Sequence, residues 1–246
     1  MREDKRLTII STFARDKLLN AKGEILSEQK GGPALYISKA LQQEGSIFDM
    51  INGNEMEVEI LVIEDGEYGR IRTEPRKKNI DYSSIKNPYL LISSLLDEYN
   101  LEGIKDYRGM VFLDVQGYVR NGKDFGKKKY WKAPEEIRSS VFCLKGTQEE
   151  ISYLPTDFIS SQKQKIMIVT KGKKGCELYY GGQKKIFKPF RIVETTETIG
   201  AGDTFFAYFV SQFIETGDLV VSLEYSIEKT SIFLALKSSY HHNPSF

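Results

Sequence analysis

Short apolar runs of strand length recur along this chain, and segments of helical period separate them. Residues 7–13, 89–93, 110–115, 140–144 and 165–170 are continuous, mostly apolar runs of the buried-strand type. Residues 33–43, 92–99, 134–139 and 148–154 carry helical spacing. Strands that alternate with helices predict an α/β fold with a doubly wound, mostly parallel sheet and helices on both faces. The runs 176–180 and 183–187 flank Gly181-Gly182, which predicts a two-residue hairpin because both turn positions tolerate positive φ. With 246 residues, the chain suits one domain spanning 1–246.

Two hairpin-like pieces fit this body less well. One spans 16–30 with Asn20-Ala21-Lys22-Gly23 as its turn. The other spans 57–73, alternates polar and apolar residues over 57–64, and has Glu64-Asp65-Gly66-Glu67 as its turn. They either pair into a small sheet standing off the body or form edge strands of the main sheet.

The net charge is +1, so no global field draws the chain to nucleic acid or an anionic membrane. The short basic runs Arg76-Lys77-Lys78 and Lys127-Lys128-Lys129 read as solvated loops. Cys143 and Cys176 form no paired motif and read as small buried side chains. Trp131 reads as packing. No run approaches eighteen apolar residues and no leader-like segment opens the chain, so the expectation is a cytoplasmic protein.

The most informative stretch runs from Glu197 through Gly200-Ala201-Gly202-Asp203 into apolar positions 205, 206, 209, 210, 213 and 214. That spacing predicts a helix with a wide buried face, closed near Gly217. The Gly-Ala-Gly run then stands at the helix N-terminus, where unpaired N–H groups and the helix dipole favour an anion. Asp203 has two readings there: a structural N-cap, or a base beside a phosphate cradle.

Residues 197–203, Glu-Thr-Ile-Gly-Ala-Gly-Asp, resemble the C-terminal motif Asp-Thr-x-Gly-Ala-Gly-Asp of the ribokinase-like (PfkB) carbohydrate kinase family. Further similarities follow in the family's order. Gly31-Gly32-Pro33-Ala34 resembles its substrate-contacting double glycine, although a plain turn before a helix gives the same pattern. Residues 114–120, Asp-Val-Gln-Gly-Tyr-Val-Arg, resemble a strand-end Asp-x-Gln-Gly-x-x-Arg. Residues 169–175 resemble the Val-Thr-x-Gly-x-x-Gly segment beside the nucleotide.

The resemblance implies a kinase that moves the γ-phosphoryl group of ATP, with Mg2+, to a hydroxymethyl group of a sugar or sugar-like molecule. It makes Asp203 the base and Gly200, Ala201 and Gly202 the anion hole. Asp16, Gly31, Gly32, Gln116 and Arg120 would bind the acceptor. Thr170, Lys171, Gly172, Gly175 and Thr198 would bind the nucleotide, Glu150 would attend the metal, and residues 218–237 would border adenine. The small sheet would be a lid, and lid strands can also form a homodimer. Three positions depart from the family: Thr147 replaces Asn in its Asn-x-x-Glu motif, Glu197 replaces Asp, and Tyr36 stands where many sugar kinases carry Asn. Two rivals remain open: a nucleoside kinase of the same fold, and a non-catalytic ligand-binding or regulatory homologue.

Overall fold

The computed structural model describes residues 5–63, 66–72, 74–195 and 197–240. Strand β1 (Leu7–Ser11) is followed by β2 (Ala14–Leu19), β3 (Ile25–Gly31), helix α1 (Pro33–Gln43), β4 (Phe48–Asn52), β5 (Met56–Ile63) and β6 (Gly66–Arg70). Next come β7 (Tyr89–Ser93), β8 (Met110–Asp114), the single turn α2 (Gln116–Val119), β9 (Arg120–Asn121) and β10 (Asp124–Lys128). The C-terminal half contains α3 (Glu135–Ser140), β11 (Val141–Thr147), α4 (Gln148–Ser152), α5 (Thr156–Gln164), β12 (Ile166–Thr170), β13 (Cys176–Tyr180) and β14 (Gln183–Phe187). Helices α6 (Ala201–Thr216) and α7 (Leu219–Tyr240) close it.

Eight strands form one sheet in the order β14-β13-β12-β11-β8-β7-β1-β4. From β4 to β12 every pairing is parallel, and β13 and β14 are antiparallel additions. The order reverses between β1 and β7, which opens a crevice at the carboxyl ends of those strands. One apolar layer packs α1, α6 and α7 on one face through Ile9, Leu91, Phe112, Cys143, Phe206 and Phe209. The opposite layer packs α3 and α5 through Leu113, Val141, Ile137 and Phe158, with Trp131 stacked on Tyr118 at 4.5 Å. Trp131 is therefore a packing residue, and both cysteines are buried thiols. Among the described residues no helix is long and apolar enough to cross a membrane.

The two expected hairpins form a separate four-stranded sheet, in the order β3-β2-β5-β6, joined by the parallel pair β2–β5. Ala14, Met56, Val58 and Ile60 give it an apolar underside against Leu95 and Leu96 of the main body. Glu64, Asp65 and Thr73 of the second hairpin lie outside the described residues. At Gly181 and Gly182 φ is +55° and +75°, as the tight hairpin requires.

Two sequence expectations fail. No helix covers 92–99: β7 ends at Ser93 and a turn follows. Asp97 there has φ +53°, and the buried Glu98 carboxylate accepts from the N–H groups of Leu95 (2.8 Å) and Leu96 (2.6 Å). The helical spacing of Ile92, Leu95, Leu96 and Tyr99 arises because two different cores take these side chains. Lys127 and Lys128 also lie in strand β10 rather than in a loop.

Tyr99 fastens the joint between the two sheets. Its hydroxyl donates to the Ser11 carbonyl at 2.6 Å and accepts from the Gly53 N–H at 2.7 Å, with the Thr12 hydroxyl at 2.7 Å. Burial pushes this phenol up to about 12, so it stays a donor. Tyr99→Phe removes these bonds and leaves the Gly53 N–H without its acceptor. The expected loss is about 1–3 kcal/mol in urea unfolding with an unchanged m-value; an unaltered midpoint would show the tether to be idle.

Candidate active site

The carboxyl ends of β1, β7, β8, β11 and β12 face a cavity of about 750 Å³ that continues beneath the small sheet. At one end its walls are Asp16, Val58 and Ile60 of the small sheet, with Leu95 and Phe125. At the other they are the β12–β13 turn, residues from 189–195 and 198–199, and Ile227 and Leu234 of α7. Of the residues singled out in the sequence, Asp16, Gly32, Gln116, Arg120, Glu150, Thr170, Gly172, Gly175 and Thr198 line this space. So do Gly200, Ala201, Gly202 and Asp203. Gly31 and Lys171 are set back from it. A Cβ on Gly31 would stand 1.9 Å from the Asp16 carboxylate, so this glycine makes room for Asp16, and Lys171 pairs with Glu177.

Helix α6 begins at the crevice. Gly200 is its N-cap, with φ +81°, and supplies no capping side chain. The Ala201 N–H is taken by the Thr198 carbonyl at 3.0 Å, and Thr204 closes the first helical bond to the Gly200 carbonyl at 2.9 Å. Of the three amides expected from the sequence to hold an anion, that of Ala201 is therefore taken, while Gly200 and Gly202, and the next residue Asp203, have N–H groups with no protein acceptor among the described residues. Gly200, in the left-handed conformation, also shapes the entry to the helix.

Asp203 is not the N-cap. It lies in the first turn of α6, and its Oδ1 accepts from the Gln116 amide at 2.8 Å and the Ser93 hydroxyl at 3.1 Å. Gln116 is held in turn by Arg120, whose Nη2 donates to Gln116 Oε1 at 3.3 Å. Arg120 also donates to the Leu95 carbonyl at 3.0 Å and lies over the Phe125 ring, 4.5 Å from its centroid. Burial raises the Asp203 carboxyl above the usual aspartate range, against the pull of Lys145 and Arg120 and the two hydrogen bonds. A carboxylate fixed by one oxygen, and made more basic by burial, is equipped to take a proton from a bound hydroxyl.

Three features escaped the sequence reading. Ser93 ends β7 and reads as an ordinary strand terminus. Lys145, in β11, is buried and bonds Asp114 of β8 at 2.6 Å. Third, Thr147 caps α4 in a capping box: its Oγ1 accepts from the Glu150 N–H at 3.2 Å, and Glu150 Oε2 accepts from the Thr147 N–H at 2.8 Å. The Thr-x-x-Glu signature of that box was present at 147–150.

Magnesium in phosphoryl-transfer sites commonly takes one or two carboxylates, with phosphates and water completing its shell. Glu150 lines the cavity with one oxygen outside the capping box, which fits that demand. Among the described residues no group of three or more His, Cys, Asp or Glu forms an all-protein metal cage. The apolar strip of Ile192, Ile199, Ile227 and Leu234 fits a flat aromatic base at the far end of the cavity.

Residues 134–235 match the pfkB family carbohydrate kinases. A stretch of 71 residues is 38% identical to inositol 3-kinase of Oryza sativa subsp. japonica and 37% identical to that of Zea mays. It covers 29% of this chain and only 17% and 18% of those proteins. Among solved structures, a pyrophosphate-dependent kinase in the ribokinase family, complexed with a pyrophosphate analog and myo-inositol, superposes with a TM-score of 0.70 at 15% identity, covering 92% of this chain and 94% of that one. Ribokinase from Thermotoga maritima gives 0.69 at 18% identity, covering 93% and 92%. Arabidopsis thaliana ribokinase complexed with ribose and ATP gives 0.68 at 16%, covering 92% and 91%. The fold is ribokinase-like.

The turn at Gly200 rests on Tyr36 of α1. A Cβ on Gly200 would stand 2.3 Å from the Tyr36 ring, in a left-handed conformation that side chains resist. Gly200→Ala should therefore cost at least about 1–3 kcal/mol. Combining it with Tyr36→Ala should relieve the clash and give a coupling energy of at least about 0.5 kcal/mol by thermal unfolding. Strictly additive losses would mean that the ring and the turn are independent.

Proposed function

We propose that this ribokinase-like chain, matched by the pfkB carbohydrate kinase family over residues 134–235, is a kinase that phosphorylates a hydroxyl of a sugar-like polyol with ATP as donor. One observation carries the reading. Asp203 is buried at the start of α6, oriented by Ser93 and Gln116, and adjacent to amides that lack protein acceptors among the described residues. The inositol and ribose bound by proteins of this fold support a polyol acceptor, and the apolar strip beside α7 supports a nucleotide donor.

The acceptor lies between Asp16 and Arg120, beneath the small sheet. Its hydroxyl faces Asp203, and the γ-phosphoryl group of the donor faces the Gly202 and Asp203 amides. The hydroxyl oxygen forms the new P–O bond, its proton passes to an Asp203 carboxylate oxygen, and the bond to the β-phosphate oxygen breaks to release ADP. Glu150 would attend magnesium, which when bound would supply charge screening to the donor. Val58, Ile60, Leu95 and Phe125 keep water from the acceptor end, which restrains hydrolysis of the donor.

Donor consumption with inositols, pentoses, hexoses and nucleosides, using ATP and pyrophosphate in parallel, tests the reading. No turnover with any pair would overturn it. Once an acceptor is known, Asp203→Asn should lower kcat by about 10²–10⁴-fold. Its melting temperature should stay close to that of the parent protein, because the carboxylate caps no helix. The base must be ionised to work, and burial raises its pKa. Activity should therefore fall as pH drops through a limb lying above the ordinary aspartate value of about 3.9. Folding responds oppositely: a raised carboxyl favours the folded state at low pH, and that contribution is lost as pH rises through the folded-state pKa. An acid limb at or below the ordinary value would exclude Asp203 as the base.

A further inference from the structure

We propose that Lys145 is a catalytic residue of this site, its ammonium binding an oxygen of the transferred phosphoryl group beside the amides of Gly202 and Asp203. The proposal rests on the kinase reading above and adds a residue to it.

Position comes first. Lys145 follows Cys143 on the same face of β11, and Cys143 is packed in the apolar layer beneath α6. Two residues on, that face reaches the start of α6. A Cβ on Gly202 would stand only 3.0 Å from Lys145 Nζ, so the ammonium presses against the first turn of the helix. Its side chain is 3% exposed, yet it lines the cavity. The small residue at 202 thus serves two purposes: it bares an amide and it makes room for a cation.

Hydrogen bonding comes second. An ammonium carries three N–H donors. Lys145 gives one to Asp114 Oδ2 at 2.6 Å, its only protein acceptor among the described residues. Asp114 is its register partner on the neighbouring strand and is wholly buried, so the lysine is held from below. Two donors remain for a ligand at the cavity wall. A buried ion pair serving the sheet alone gives little net stability, and an apolar pair of similar size commonly replaces it without loss. The placement of this pair against the anion-binding turn gives it a purpose that an apolar pair could not serve.

Charge comes third. Burial disfavours the ammonium, but Asp114, Glu150 and Asp203 outweigh it and hold Lys145 above the ordinary lysine value. Lys145 is therefore a permanent cation among carboxylates. In phosphoryl transfer, charge spreads over the equatorial oxygens as the bond to the leaving group loosens. A fixed cation in a water-poor site stabilises that charge without reorganising. Lys145 keeps its protons throughout: the phosphoryl group passes from donor to acceptor and the acceptor proton passes to Asp203. Asp114 is the positioning residue that aims the ammonium.

The test compares Lys145→Met, Asp114→Asn and the double variant with the parent protein. The double variant removes both charges and so avoids the buried, unpaired carboxylate that Lys145→Met leaves. Thermal unfolding should show it to be folded. Its kcat should nevertheless stay depressed by about 10²–10³-fold, with the acceptor KM within about threefold of the parent value. Calorimetric titration with inorganic pyrophosphate, without metal, should show an affinity lowered about tenfold or more in both variants that lack Lys145. A double variant that recovers near-parental kcat would reduce the pair to a structural bridge and overturn the proposal. Unchanged pyrophosphate affinity would overturn it as well. If the parent protein turns over no acceptor, the kinase reading fails, and the pyrophosphate titration still decides whether Lys145 meets phosphate oxygens.

Discussion

Along the face of the main sheet that packs on α6, four neighbouring strands change character at the same level. Ile9 gives way to Ser11, Leu91 to Ser93, Phe112 to Asp114 and Cys143 to Lys145. Each change is one step of two residues, so each polar side chain follows its apolar predecessor on the same face. The register Ser11–Ser93–Asp114–Lys145 aligns them in one row across β1, β7, β8 and β11. Buried polar groups must be paired or lose stability, and this row is almost wholly sealed. Its pairings set the rest of the site. Ser11 donates to the Ser93 carbonyl at 2.8 Å, Ser93 donates to Asp203, and Asp114 holds Lys145. The apolar layer ends where the chemistry begins.

The small sheet completes this arrangement from above. Its apolar underside seats on Leu95 and Leu96, which the turn after β7 presents. That turn is built by Glu98 and Asp97 rather than by a helix. The same short segment thus ends the strand that carries Ser93, supports the small sheet over one end of the cavity, and carries the Arg120 contact at the Leu95 carbonyl.

Local signals were legible where local physics decides structure. Pro33 and the helical period gave α1 its limits, the glycine pair gave the β13–β14 hairpin, and Gly217 ended α6 with φ +67°. The 197–203 motif led to the correct helix N-terminus, although which amides stay unpaired depends on Thr198, and no pattern shows that. What stayed hidden depends on register between distant strands. Nothing beside Lys145 in the sequence announces Asp114 as its partner, 31 residues earlier. Periodicity also misled over 92–99, because a row of apolar residues split between two cores copies the spacing of one helix face.

Helix α7 reaches back to this centre with its last turns. Lys237 Nζ donates to the Ile199 carbonyl at 3.1 Å and lies over the Tyr36 ring at 5.9 Å from the centroid, while Phe233 meets the same ring edge-on. The residue before the Gly200-Ala201-Gly202 turn is therefore fastened by a side chain near the far end of the described chain. Neither Lys237 nor Phe233 belongs to the two cores of the main sheet, so the contacts that set the entry to α6 are separate from those that hold the sheet together.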